Sequence, residues 1–308
     1  MKLKKLVLAV SLTTMAYTGT AYALSINDLI LQEKNNFGFT VLTDESAESV
    51  YVRKNDGSLS LKQPEEDGSI KLEKNDVLRG IFRISDIGTQ SVQATTGHEL
   101  TGIFELEVLT ADSGAPACGL SNFCFTFGPS SSFSPTGFSV GLGNSSNAML
   151  ALYDDTLQDF NTAIDTGSPA VDIAGMEATA TNGVPFWLFA KDNIDDFWKA
   201  GASTNNVADP LLGPDNRFVN FNFGVSQITG YKGLALESWV CNSATTSATV
   251  DMCGSGTVRT KTTTELSAYH LMDDFSFTVK AEIPEPATVA LLGIGLLGFG
   301  TSRLRKKA

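Results

Sequence analysis

The chain has 308 residues, with 34 acidic against 22 basic side chains, a net charge of −12 and a mean hydropathy of +0.02. A field of that sign repels nucleic acid, lipopolysaccharide phosphates and anionic lipid heads, so a nucleic-acid partner is excluded. With two histidines, His98 and His270, and no Cys-x-x-Cys, the four cysteines lack the pattern of a zinc site.

In chain order, Lys2, Lys4 and Lys5 precede an apolar core from Leu6 to Ala16, and Ala21-Tyr22-Ala23 places small residues at the −3 and −1 positions. This is a secretory signal peptide over 1–23, cleaved by signal peptidase after Ala23, and too short and Thr-rich to be a stable span. The exported body, 24–281, then reads as short alternating runs broken by Gly, Ser, Asn and Asp. Strands are predicted over Phe37–Leu42, Ser49–Arg53, Val77–Ile84, Thr101–Leu109, Phe123–Phe127, Phe138–Leu142 and Met149–Tyr153. Further strands are predicted over Arg217–Ile228, Leu234–Val240, Leu266–His270 and Phe275–Val279. Over 78–84 the alternation is partial, so one face is expected to be wetter than the other.

Phenylalanines sit at every second position in Phe123-x-Phe125-x-Phe127, and with one slip at Phe218, Phe221 and Phe223. That spacing puts rings on one sheet face. Turn signals fall at Asn55-Asp56-Gly57, Glu66-Asp67-Gly68 and Asn182-Gly183. Helix is scarce; Asp192–Ala200 is the best candidate, capped by Asp192 with an apolar face of Ile194, Phe197 and Trp198. These patterns predict an all-β, jelly-roll-like β-sandwich as one large domain, with room for an insertion near 160–215.

Four cysteines in an exported chain predict disulfides among Cys118, Cys124, Cys241 and Cys253. Three connectivities are open; 118–124 with 241–253 closes two small loops at the least entropic demand. Gly137-Phe138-Ser139-Val140-Gly141 matches a nucleophile-elbow pattern, but neither a buried strand before Ser139 nor a helix after it is predicted, so no catalytic residue is assigned. No metal site or cofactor is assigned; Asp154-Asp155, Asp192 with Asp195-Asp196, and Asp273-Asp274 are the carboxylates from which a structural Ca²⁺ would draw ligands. Trp187, Trp198 and Trp239 are the candidates for stacking on sugar rings, with apolar neighbours that favour the core.

The C-terminal segment, 282–308, is the most specific part. No charge falls between Pro286 and Ser302. As a helix, 286–302 would reach about 26 Å, the short limit for a hydrocarbon core. Arg303, Arg305, Lys306 and Lys307 follow and favour a cytoplasmic end, leaving the body outside. Pro284 and Pro286 hold Glu285 extended, while Pro286 can still open a helix. Ile-Pro-Glu-Pro-Ala-Thr-Val-Ala-Leu-Leu-Gly-Ile-Gly-Leu-Leu-Gly-Phe-Gly with a basic tail resembles the PEP-CTERM sorting signal of Gram-negative bacteria. The resemblance implies that an exosortase recognises Pro284, Glu285 and Pro286 and removes the tail, after transient inner-membrane anchoring, on the way to the cell surface.

Without the seven basic residues of the two ends and Glu285, the body holds 15 basic against 33 acidic residues, near −18. Its expected role is a non-enzymatic surface or matrix protein in exopolysaccharide, biofilm or floc. A carbohydrate-binding β-sandwich is the alternative, and an extracellular hydrolase a more remote one.

Overall fold

The computed structural model describes residues 24–66, 69–114, 121–138, 147–162, 169–208, 217–228, 231–242, 247–260, 269 and 271–283. The elements run α1 (Ile26–Phe37), β1 (Thr40–Arg53), β2 (Leu59–Leu61), β3 (Ile70–Lys71), β4 (Val77–Ile87), β5 (Gln90–Ser91), α2 (Val92–Thr96), β6 (Glu99–Ser113) and β7 (Phe123–Pro129). They continue with β8 (Ala148–Asp155), α3 (Pro169–Thr181), β9 (Val184–Ala190), β10 (Phe197–Ala202), β11 (Asn206–Ala208), β12 (Arg217–Ile228), β13 (Trp239–Asn242), β14 (Ser247–Val250), β15 (Met252–Thr260) and β16 (Leu271–Val279).

The all-β expectation holds, but the main sheet closes on itself instead of splitting into two sandwich layers. Six strands pair in the order β6-β4-β1-β16-β15-β12, all antiparallel. The long strands β6 and β12 then close the ring through two different pairs. At one end β8 takes residues 99–104 of β6, and β9 joins it to residues 226–228 of β12. At the other end β7 pairs with 106–113 of β6, and β10 joins it to 219–224 of β12. At any level the wall is thus eight strands around, the size at which side chains fill the lumen.

The alternating rings supply that filling. Phe82, Phe104, Phe125, Phe127, Phe221, Phe223, Phe275 and Phe277 all join the main core. Trp198 stacks on Phe223 with centroids 4.4 Å apart. Among the described residues, a cavity of ≈ 30 Å³ is left in the lumen, bounded by Phe104, Trp198, Phe221 and the buried Glu48, about the space of one or two waters in an otherwise packed core. Glycines make room for the rings: a Cβ at Gly102 would strike Phe82 and lie 2.7 Å from the Ala151 carbonyl. Apolar inside and charged outside is the reverse of a lipid-facing barrel. Among the described residues, no helix is long and apolar enough to cross a membrane.

A second apolar layer lies outside the wall, where Ile173, Met176 and Ala180 of α3 pack on Ile81, Ile103 and Tyr153. The β13–β14 hairpin makes a third patch, with Cys241 and Val250 against Phe197.

Several predicted elements move. Phe37 ends α1, and the predicted runs 37–42 and 49–53 belong to one long β1. The predicted helix over 192–200 is instead a turn followed by β10: Asp196 does not extend a helix but closes the turn, accepting the Asp192 and Asn193 amides at 2.8 Å each. From there the period is two, with Trp198, Ala200 and Ala202 facing the core. The predicted strand 234–240 is only a bridge at Leu236 and the start of β13. Most of the predicted strands 138–142 and 266–270 lies outside the described residues. The slip in the phenylalanine series of β12 coincides with a register shift between Arg217 and Val219.

Candidate functional site

Two regions concentrate polar chemistry: the barrel mouth where the C-terminal segment leaves, and the outer wall beneath α3. At the mouth, the Ser25 hydroxyl accepts the Asp28 amide, and the Asp28 carboxylate accepts the Ser25 amide, both at 3.1 Å. This capping box starts α1 two residues after the expected signal cleavage point. Ile26, Leu29 and Ile30 follow at helical spacing and are buried in the barrel core, so α1 plugs this end. Gly38, at φ 80°, terminates it by donating to the Lys34 carbonyl at 2.7 Å.

The side chain of Lys34 turns inward and grips the departing chain. Its ammonium donates to Glu237 at 2.8 Å and to the Ala281 carbonyl at 3.1 Å. The backbone is held as well: Glu237 N–H donates to Lys280 and Glu282 N–H donates to Ala235, each at 2.7 Å. Among the described residues, Glu282 is the last held by such a backbone bond. Ile283 is 53% exposed, and Pro284 comes next. Across the same mouth, Asp154 binds both Lys232 and His98, the latter at 2.6 Å from Nδ1.

On the outer wall the wet face of β4 and β6 is a row of ion pairs. Arg79 engages Glu177 of α3 through Nε at 2.6 Å and Nη2 at 2.7 Å, and Glu105 through Nη1 at 2.9 Å. Glu105 is fully buried and also accepts the Ser132 hydroxyl. Arg53 pairs with Glu107 at 3.0 Å, and Arg83 with Glu99 at 3.2 Å. Burial opposes the Arg79 charge, but Glu177 and Glu105 outweigh it and hold its pKa above the ordinary value. Burial first, and the same carboxylates second, push the Tyr51 phenol far up; Tyr269 is raised chiefly by burial, then by Glu177. Beside this network lies a pocket of ≈ 260 Å³ lined by Arg79, Ser132, Thr136, Glu177 and Thr181. Glu105 and Glu177 share one guanidinium, so both carboxylates beside the pocket are ion-paired.

The sequence-predicted residues distribute as follows. Ala23, Cys118, Ser139, His270, Pro284, Glu285, Pro286, Arg303, Arg305, Lys306 and Lys307 lie outside the described residues. Cys241 and Cys253 are joined, with Cα atoms 5.7 Å apart, stapling the β13–β14 hairpin to β15. Cys124 on β7 is also disulfide-bonded. Of the acidic clusters, Asp154 is engaged by Lys232 and His98, while Asp196 is engaged by its own turn and by the Ser226 hydroxyl at 2.9 Å. Asp273 and Asp274 fall on β16 with side chains outside the described set. Among the described residues, no group of three or more His, Cys, Asp or Glu is placed to hold a metal. Trp187 and Trp198 are core residues, Trp187 donating to the Leu234 carbonyl at 2.9 Å. Trp239 is half-buried under Lys280, 5.2 Å from its ring.

A barrel that releases its last strand directly into a proline-marked, charge-free run defines a folded cargo with a terminal sorting tag. Residues 282–306 match the family model of the PEP-CTERM protein-sorting motif. The chain carries that motif, which marks a protein for export, a membrane-associated sorting step and exosortase processing. No curated protein and no solved structure matches the chain.

Proposed function

We propose that this is a non-enzymatic cell-surface or extracellular matrix protein of a Gram-negative bacterium, freed from its signal peptide by signal peptidase and from its tail by an exosortase. It contributes structure or adhesion to an exopolysaccharide matrix, biofilm or floc. The observation that carries this reading is the PEP-CTERM match at 282–306, which begins at Glu282, the residue whose amide is still bonded to Ala235 of the packed barrel. The filled lumen and the ion-paired carboxylates of the outer wall support a structural role over catalysis.

The test replaces Pro284 and Pro286 by alanine in the full chain and follows the C-terminus by mass spectrometry and fractionation. The parent chain should lose the 303–307 basic tail and leave the inner membrane. The variant should retain the tail and stay membrane-bound; identical behaviour of the two refutes processing at this motif. Deletion of the gene should then lower cell aggregation and matrix retention.

The carbohydrate-binding alternative no longer rests on stacking tryptophans, since two of the three are in the core. One observation favours it in another form: the pocket of ≈ 260 Å³ at Arg79 and Glu177 has room for a single sugar ring among four hydroxyl side chains and an ion pair. Glycan-array retention lost in Glu177→Gln supports it; no retention by the parent chain removes it.

A further inference from the structure

The chain outside the structure begins almost at the barrel surface, and its length limits where the barrel can sit. Glu282 is fixed by its bond to Ala235, and the charge-free run opens after Pro286. Four residues, fully extended, reach about 14 Å. The headgroup layer on one side of a bilayer is itself about 5–8 Å thick. While the tail spans the membrane, the mouth of the barrel is therefore held within about 10 Å of the headgroups.

The side chains at this mouth suit that position. Phe37 is 62% exposed and Phe39 44%, large aromatics that a solvated face has no reason to display together. Both stand beside the exit: Thr40 pairs with Val279, which puts Phe39 level with Lys280, and Lys34 reaches Ala281 from the turn of α1 before Phe37. Exposed Ile283 continues the patch. On the opposite rim of the same mouth, Leu157 and Val184 are 66% and 53% exposed, where β8 ends and β9 begins. The cations of this rim are engaged by the protein itself, Lys34 with Glu237 and Lys232 with Asp154.

We propose that this mouth is a membrane-docking face, in which Phe37, Phe39 and Ile283 seat at the headgroup–acyl boundary of the leaflet that the C-terminal run enters. The proposal rests on the reading of 286–302 as a span. The body's acidic charge disfavours anionic lipid, so the partner is a zwitterionic surface held close by the tether and contacted through apolar side chains. Docking keeps the Pro284–Glu285–Pro286 motif close to the interface, within reach of a membrane-embedded protease.

The test uses the full chain in phosphatidylethanolamine–phosphatidylcholine vesicles, with an environment-sensitive fluorophore on Phe37→Cys or, independently, Phe39→Cys. The control label is on Asn55→Cys, in the turn after β1 and about 45 Å along that strand from its start. Emission from either mouth label should shift to the blue and be quenched by headgroup nitroxide lipids, while the label at 55 should do neither. Vesicle flotation separates the two ideas being tested. A chain that floats with water-like emission at both mouth positions overturns docking alone; a chain that fails to float overturns the span and the docking together.

Discussion

Replacing Arg79 by methionine keeps the apolar stem and removes the guanidinium that bridges α3 to the barrel wall. Its bond to Glu105 is 2.9 Å long, and Glu105 has no exposed surface. At an effective dielectric near 20, the gross attraction at that distance is about 6 kcal/mol, most of it spent offsetting desolvation. Removing one partner of a buried pair nevertheless strands the other, at about 3–5 kcal/mol. Arg79 itself is 28% exposed, so water recovers part of that, and a loss of about 3 kcal/mol is expected. The assay is reversible urea unfolding followed by tryptophan fluorescence, where the midpoint should fall without a change of slope. Arg53→Met, whose pair with Glu107 is 21% and 24% exposed, should cost only about 1 kcal/mol. Arg79→Met with Glu105→Met should recover part of the loss, because the fully buried Glu105 charge is gone while Glu177, 19% exposed, still lacks its guanidinium. A loss below about 1 kcal/mol for Arg79→Met, or no recovery in the double variant, refutes the reasoning that Glu105 depends on Arg79.

Replacing Cys241 and Cys253 together by alanine opens a loop of sequence separation 12 and should cost about 3 kcal/mol, measured by urea unfolding without reductant. Gly102→Ala drives a methyl into Phe82 and the Ala151 carbonyl, so a loss of about 1–3 kcal/mol and a lower melting temperature are expected. Asp196 has a raised pKa, chiefly from burial, so its folded form binds protons more readily than the unfolded chain. Its contribution therefore strengthens as the pH falls from neutral toward 3.8 and weakens as the pH rises through the folded pKa. The stability of the parent chain relative to Asp196→Asn should increase on acidification from pH 7 to about pH 4, as read by unfolding at each pH; a constant difference defeats this assignment.

Period-two spacing was legible wherever side chains alternate between lumen and exterior. The runs at 77–84, 101–109, 123–127, 149–153, 217–228 and 275–279 all fall on strands. Closure was not legible, because it depends on β6 and β12 each serving two partners along one edge, and alternation carries no record of partners. Two helices had readable signals: Ser25-x-x-Asp28 before Ile and Leu at helical spacing for α1, and Pro169 at the first position with Asp172 in the first turn for α3. The false helix at 192–200 arose because Phe197 and Trp198 are adjacent, and adjacency suits neither period; the decisive feature was the carboxylate of Asp196 folding back on its own turn. At the outer wall the alternation of Arg79, Ile81 and Arg83 suggested solvent. Only the fold shows that α3 covers it, with Glu177 arriving 98 residues along the chain.

The order of strands ties the sorting tail to the folding of its cargo. β1 pairs with β16, joining Thr40 to Val279, so the first and last strands of the barrel are neighbours. Until 271–279 are available, β1 and β15 present unpaired edges and the aromatic core stays open along that seam. Four residues separate Val279 from Pro284, so the closing strand and the sorting motif become available almost together. A barrel whose last strand came early would be complete long before its tag appeared; here the two are separated by only four residues. Lys34 completes the connection, since a residue from the first helix reaches the carbonyl of Ala281 only once β16 has docked beside β1.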